Sequence, residues 1–392
     1  MAQTTNVLGL RCEPLPVVRI ALIGVGNRGM KTLLRYSFVP HAEIRYLVDL
    51  SSEALGLANC ALERSGRQRA VELCGKDAWQ EACQRQDVDL VYICTDWQTH
   101  TPMAVYAMRC GKHVAVEVPA ATSVEECRLL VATAEATRRH CFMAENCCYD
   151  NFALNTYEMH RQGLFGKIVH CEGAYIHNLG EANACSGNPS TGHLGAWIER
   201  SYRRHGGNPY PTHGIGPIAK LLGFHKADRM ERLVSLTSVH DNGSGAADFN
   251  GNVNSSLIRT ANGVTILLQL DVTTPRPYSR LQTICGTRGY AQKYPLPTVQ
   301  VGTDVYSGTA ALDFMDRFAT SAASLQWKQG MAAGAENGMN YVMDVRLMEA
   351  LHRGLPLDID VYDAAEWSCL AELTRLSALN GGEPVCVPDF LS

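Results

Sequence analysis

The 392-residue sequence contains no run of about 18 consecutive apolar residues, so no segment reads as a membrane-spanning helix. It also lacks a basic excess. A formal net charge of -4 gives no reason to expect nucleic acid or an anionic membrane surface as a partner. Residues 1–16 have neither the basic start nor the apolar centre of a secretory leader. The expected compartment is therefore cytoplasmic, or periplasmic or secreted if a leader has been removed. Fifteen cysteines are present, but none forms a Cys-x-x-Cys pair, so metal-ligand spacing is absent and no metal is expected. Several stand in apolar contexts such as Tyr92-Ile93-Cys94, where a thiol acts as a small hydrophobe in a reducing compartment. Also missing are a Gly-x-Ser-x-Gly elbow, a His-Glu-x-x-His pair and a Walker loop.

What is present is organised around Val17–Gly29. A short apolar run ends in Gly24-x-Gly26-x-x-Gly29, and a helix-compatible segment follows. Gly24 lets the chain turn off the strand, Gly26 lets backbone approach a pyrophosphate, and Gly29 lets helix and strand pack closely. The N–H groups opening that helix can bind an anion. A second apolar strand, Glu43 to Val48, ends in Asp49, about 20 residues past the last glycine, where a carboxylate accepts from a ribose. An acid there favours NAD, because it would repel the 2′-phosphate of NADP.

A chain of this length predicts two domains. Strands at Asp89–Cys94, Lys112–Glu117 and Cys141–Glu145 alternate with helices at Ser52–Glu63, Asp77–Arg85, Thr99–Arg109 and Ser123–Arg139. Residues 1–150 are therefore expected to form a doubly wound parallel sheet of Rossmann type. Residues 151–392 are expected to form a substrate-binding α+β domain. A helix at Asn151–Arg161 precedes strands at Lys167–His177, Leu233–Val239, Asn252–Thr260, Val264–Val272 and Arg280–Gly286, whose short turns predict a mostly antiparallel open sheet. Residues 178–208, rich in Gly, Asn and Ser, read as a lid or arm. The chain closes on helices at Met339–Arg353 and Val361–Leu379, which can pack back on the Rossmann domain.

Three parallel strands end in polar groups on the edge where such sheets bind ligands. They lead into Thr95-Asp96-Trp97-Gln98-Thr99-His100, Glu117-Val118-Pro119 and Glu145-Asn146. A capped helix start with a packed tryptophan is an equally open reading of the first. In the second half, Tyr175 and His177 share one strand face. In Asn208–Pro217, Thr212 is expected to cap a helix, with His213 in its first turn and Tyr210 beside it. A helix start favours the uncharged ring, which leaves His213 available as a base near neutral pH.

The Gly24/Gly26/Gly29 start, the Glu-x-Pro after the fifth strand and the antiparallel C-terminal sheet together resemble the Gfo/Idh/MocA oxidoreductase family. Dehydrogenases of that family have Glu-Lys-Pro, whose lysine serves hydride transfer; here Val118 takes that place. Val118, Glu145-Asn146, Gly173–His177, Tyr210–Gly214, Arg276–Arg280 and Val361-Tyr362-Asp363 resemble the glycoside hydrolase family 109 branch. That resemblance implies an NAD-dependent α-N-acetylgalactosaminidase or related exo-hexosaminidase acting on a terminal sugar of a glycoconjugate. Its reaction would run through transient C3 oxidation, C2 deprotonation, elimination of the C1 substituent, water addition and re-reduction. Carried over by position, Gly24, Gly26, Asn27, Arg28, Gly29, Asp49, Trp97, Gln98, Thr99, His100, Glu117, Val118 and Asn146 would hold NAD. Tyr175 would be the base at C2, and His213 would assist at the C3 hydroxyl. His177, Arg200, Tyr210, Thr212 and Tyr278 would line the sugar pocket. A homo-oligomer, dimer or tetramer, is expected by the same analogy. Two departures stand out: Ile198 replaces the family's arginine after Trp197, with Arg200 nearest, and Glu336–Asn340 replaces His-Gly-Gly-Met-Asp. These leave another hexosaminide, a β linkage or another glycoside open. The runner-up activity is an NAD-dependent sugar dehydrogenase.

Overall fold

The computed structural model describes residues 6–178, 196–238, 253–335 and 337–391. The chain divides into two compact units. One comprises residues 1–146, 326–365 and 391, the other residues 147–325, 366–390 and 392.

The first unit is built on six strands, β1 (Val18–Ile23), β2 (Ala42–Asp49), β3 (Val71–Cys74), β4 (Leu90–Ile93), β5 (His113–Val116) and β6 (Cys141–Met143). They pair in the order β3-β2-β1-β4-β5-β6, every pair parallel. That is the doubly wound arrangement predicted. Every residue of β4, β5 and β6 is buried, as expected of strands covered on both faces. The intervening helices are α1 (Asn27–Arg35), α2 (Ser52–Arg64), α3 (Ala78–Gln84), α4 (Trp97–Arg109) and α5 (Val124–Thr137). Side chains start three of them: Ser51 accepts from Ala54 N, Asp96 from Gln98 N and Ser123 from Glu126 N.

Helix Gly338–Arg353 braces this unit with two residues one turn apart. Asp344 pairs with Arg35 of α1 at 2.8 Å, both buried, and Asn340 Oδ1 accepts from Asn146 Nδ2 at 2.6 Å, just past β6. Further on, Tyr362 OH accepts from Val7 N and donates to Glu135 Oε1.

The second unit opens with α6 (Asn151–Arg161), β7 (Ile168–Ile176), α7 (Ala196–His205) and α8 (Thr212–Leu222). It continues with β8 (Met230–Thr237), β9 (Asn254–Thr260), β10 (Thr265–Asp271), β11 (Ser279–Gly286), β12 (Gly289–Gln292), β13 (Thr298–Val301), β14 (Asp304–Ser307) and β15 (Val385–Cys386). The nine strands pair in the order β14-β13-β12-β11-β7-β10-β9-β8-β15. All pairs are antiparallel except β7 with β10, which run parallel. Residues 178–208, expected as a lid or arm, contain helix α7; residues 179–195 lie outside the described residues, as do Val239 and Glu336.

Two buried histidines and a half-buried one, His205, give the fold a predicted acid sensitivity. Burial, with Arg139 and His140 nearby, pushes His113 down to about 3; burial and Arg139 push His140 to about 4; burial and Arg375 push His205 to about 4. His113 Nδ1 also accepts from His140 N, which requires an unprotonated nitrogen. Above pH 6.5 these rings are neutral whether folded or unfolded. Below it the unfolded chain takes up protons that the folded one refuses, so stability falls by about 1.4 kcal/mol per pH unit for each ring. Melting temperature should be flat from pH 8 to 7 and drop steadily from 6 to 4.5. His140→Gln should reduce the slope; an unaltered slope in that variant would remove His140 from the account.

Candidate active site

The glycine loop after β1 fits a dinucleotide in three ways. Gly24 has φ +84, and a Cβ there would lie 2.8 Å from the Cys94 carbonyl oxygen. A Cβ on Gly29 would overlap the Gly24 carbonyl, whereas one on Gly26 would meet nothing within 4 Å. Two glycines are thus needed for packing, and the middle one leaves its space open. Helix α1 starts without a side-chain cap and without an acid in its first turn, so its N–H groups and dipole face an anion unopposed. Asp49 ends β2; its Oδ2 accepts from Val25 N at 2.8 Å and its Oδ1 from Ser51 N at 3.0 Å, which ties it to the loop. A carboxylate offers about four acceptor positions, leaving capacity for a ribose.

Along the same edge, Arg28 Nε donates to Glu117 Oε1 at 2.8 Å, linking the helix start to the end of β5. Val118 is 4% exposed and supplies no group that exchanges a proton. Asp96 accepts from Gln98 N, Thr99 Oγ1 donates to Thr95 Oγ1 at 2.7 Å, and Trp97 is buried, the capped-helix arrangement. His100 is buried beneath these strand ends, with Nδ1 2.8 Å from the Pro119 carbonyl and Nε2 3.1 Å from that of Thr95. Both ring nitrogens are therefore engaged with backbone, and the residue braces the edge from below.

In the second unit, two glycines set the geometry. A Cβ on Gly173 of β7 would overlap the Gly214 backbone of α8, and a Cβ on Gly214 would lie 2.8 Å from Ala174 N. Strand and helix therefore touch backbone to backbone. This brings Tyr175 of β7 against Tyr210 and His213, with His177 just past the strand end beside Tyr175. The Tyr175 ring lies 4.9 Å from Tyr210 and 5.5 Å from His213. Tyr175 OH is 3.0 Å from His177 Nδ1, and Tyr210 OH is 3.3 Å from His213 Nε2. Tyr278 meets His177 edge-on at 5.3 Å. Burial raises the Tyr278 phenol to about 12 despite Arg280 beside it, so it stays neutral.

Thr212 departs from its expected place: it is the first residue of α8, Pro211 occupies the cap position, and the helix has no side-chain cap. His213 remains in the first turn. The Arg200 side chain lies outside the described residues. Residues without an assigned role in the sequence also join the group. Tyr202 packs on Tyr210 at 6.5 Å and Tyr294 on Tyr278 at 6.0 Å. Asp271 accepts from Thr273 N, Thr274 N and Thr274 Oγ1 and shapes the turn leading to Tyr278. The sequence signal for Arg280 was its place at the end of the Arg276–Arg280 motif, where no role was assigned to it. Asp271 offered none, because its partners come from the turn it builds.

The chain thus carries a doubly wound parallel sheet with a glycine loop that fits a dinucleotide, and an antiparallel sheet with a tyrosine–histidine cluster, the arrangement of a dinucleotide-dependent enzyme class. Residues 18–145 match the oxidoreductase family's NAD-binding Rossmann fold, and residues 149–392 match the glycosyl hydrolase 109 C-terminal domain. Alpha-N-acetylgalactosaminidase of Bacteroides fragilis is 48% identical over 403 residues, covering 98% of this chain and 95% of that protein. Glycosyl hydrolase family 109 protein 2 of Phocaeicola vulgatus is 47% identical, covering 98% and 97%. Levoglucosan dehydrogenase in complex with NADH and levoglucosan shares the fold at a TM-score of 0.70 and 16% identity, over 95% of this chain and 100% of that one. The chain belongs to glycosyl hydrolase family 109, and its cofactor is NAD.

Proposed function

We propose that the chain is an NAD-dependent exo-glycosidase that removes terminal α-linked N-acetylgalactosamine. The 48% identity to a protein of that name along nearly the whole length of both carries the reading. Gly26, Arg28, Asp49, Glu117 and Asn146 would hold the dinucleotide, which supplies a reversible hydride acceptor for the sugar's C3. Tyr175, paired with His177, takes the C2 proton, which is acidic only while C3 is a ketone. His213, paired with Tyr210, moves the C3 hydroxyl proton. Tyr210 and Tyr278 give the sugar ring apolar faces. Val118 supports hydrolysis over net oxidation, because an aliphatic side chain cannot replace the lysine of a dehydrogenase.

The test is a panel of chromogenic α- and β-glycosides followed at the aglycone and NADH wavelengths together. The α-N-acetylgalactosaminide should release aglycone while the NADH signal stays flat. Stoichiometric NADH would make the protein a sugar dehydrogenase. Preference for another hexosaminide would place the specificity change at Ile198 and Asn340.

A further inference from the structure

Arg280 is a buried cation, 7% exposed, in the second unit. Its Nε donates to the Tyr278 phenol, and its guanidinium carbon lies 5.6 Å from the centre of that ring. Tyr278 in turn meets His177 edge-on, and His177 Nδ1 pairs with Tyr175 OH. Four side chains therefore run in line from the buried guanidinium to the phenol assigned as the base. The backbone beside Arg280 makes the same point independently. Leu281 and Gln282 follow it with φ +55 and +53, at a register break of β11 against β7. Side chains other than glycine adopt that conformation rarely, and bulges of this kind re-aim neighbouring side chains beside functional sites.

We propose that Arg280 is a positioning residue for the Tyr175–His177 pair, fixing the His177 ring through Tyr278 and keeping it uncharged. The proposal rests on the functional reading above. A neutral His177 can present Nδ1 to the Tyr175 phenol, whereas a protonated ring has no acceptor nitrogen left. Burial first, and then Arg280, hold His177 below its ordinary value. The groups facing His177 are Tyr175 two residues before it on β7, Tyr278 and Arg280 from β11 and its approach, and Asp271 of β10. Asp271 accepts the His177 N–H on its backbone carbonyl, while its carboxylate is engaged with Thr273, Thr274 and Arg276. Arg280 is thus the cation placed to keep this ring from charging.

The experiment compares Arg280→Met and Arg280→Lys with the wild type, each as the NAD-loaded full chain. It measures kcat/KM for the chromogenic α-N-acetylgalactosaminide from pH 5.5 to 8.5, and the titration of the His177 ring by NMR, assigned with His177→Asn. In Arg280→Met the acidic limb should move up by about one pH unit, a loss of a few-fold near pH 6 that grows toward about tenfold at the acid end of the range and vanishes toward pH 8. The His177 titration should move with it. Arg280→Lys keeps the charge and loses the fork, so kcat should fall while the limb stays in place. A uniform loss across pH in Arg280→Met, with His177 titrating as before, overturns the proposal. So does a shifted limb in Arg280→Lys, which decides the matter if the methionine variant fails to fold. Should the wild type release no aglycone from any glycoside, the functional reading fails, and the NMR comparison still judges Arg280.

Discussion

Tyr175→Phe is expected to lower kcat for aglycone release by about 10³-fold with little change in KM, the loss typical of a general base that acts only in the transition state. The phenol has one oxygen to lose, and that oxygen lies 3.0 Å from His177 Nδ1 in a half-buried position. The ring itself, packed on Tyr210 and His213, stays. Thermal stability should therefore change little, by about 1 kcal/mol or less, since removing the partner leaves His177 Nδ1 within reach of water. Exchange of the substrate's C2 hydrogen with deuterated solvent separates the roles directly. It should disappear in Tyr175→Phe and persist, slowed, in His213→Asn. The reverse outcome would transfer the base to His213, which sits in the first turn of α8 with Tyr210 at 3.3 Å.

Local pattern made much of this architecture readable, and its silence has physical causes. Strands β4, β5 and β6 announce themselves as unbroken apolar runs because both faces are buried. Strand β3 does not: Val71, Glu72 and Cys74 are exposed, and only Leu73 points inward at the sheet edge. Strands β12 to β14, four residues each and separated by Gly and Pro turns, are quiet because they are too short to display a period. The parallel pairing of β7 with β10 was hidden among antiparallel neighbours, because strand direction leaves no trace in alternation. Site residues that follow a strand end or stand in the Pro211-Thr212-His213-Gly214 turn could be named in advance. Those that act by long-range tie could not. Asp344 reaches Arg35 across 309 positions and Asn340 reaches Asn146 across 194, and no spacing rule connects them. The Gly173–Gly214 contact was legible only as two glycines in motifs; that they exist for each other needs the packing.

Gly26→Ala and Gly29→Ala should separate cofactor binding from folding within a single turn of chain. The two substitutions add the same methyl group three residues apart. At Gly26 the φ of −66 suits alanine, and the methyl meets no protein atom within 4 Å, so the apo protein should melt within a few degrees of wild type. The space it enters is the space a pyrophosphate needs over the start of α1, so NAD affinity should fall by about 100-fold, close to 2.7 kcal/mol. At Gly29 the methyl collides with the Gly24 carbonyl, which cannot retreat because Gly24 is itself seated against Cys94 with φ +84. Helix α1 must then lift from β1, at a cost of about 3 kcal/mol, and the apo melting temperature should drop sharply. Calorimetric NAD titration and apo melting curves on the pair read both effects. If Gly26→Ala binds NAD as tightly as the wild type, the dinucleotide does not cross this loop, and assigning Arg28 and Asp49 to the cofactor fails with it. If Gly26→Ala melts as low as Gly29→Ala, the open space is a packing requirement, and the loop's shape has lost its functional explanation.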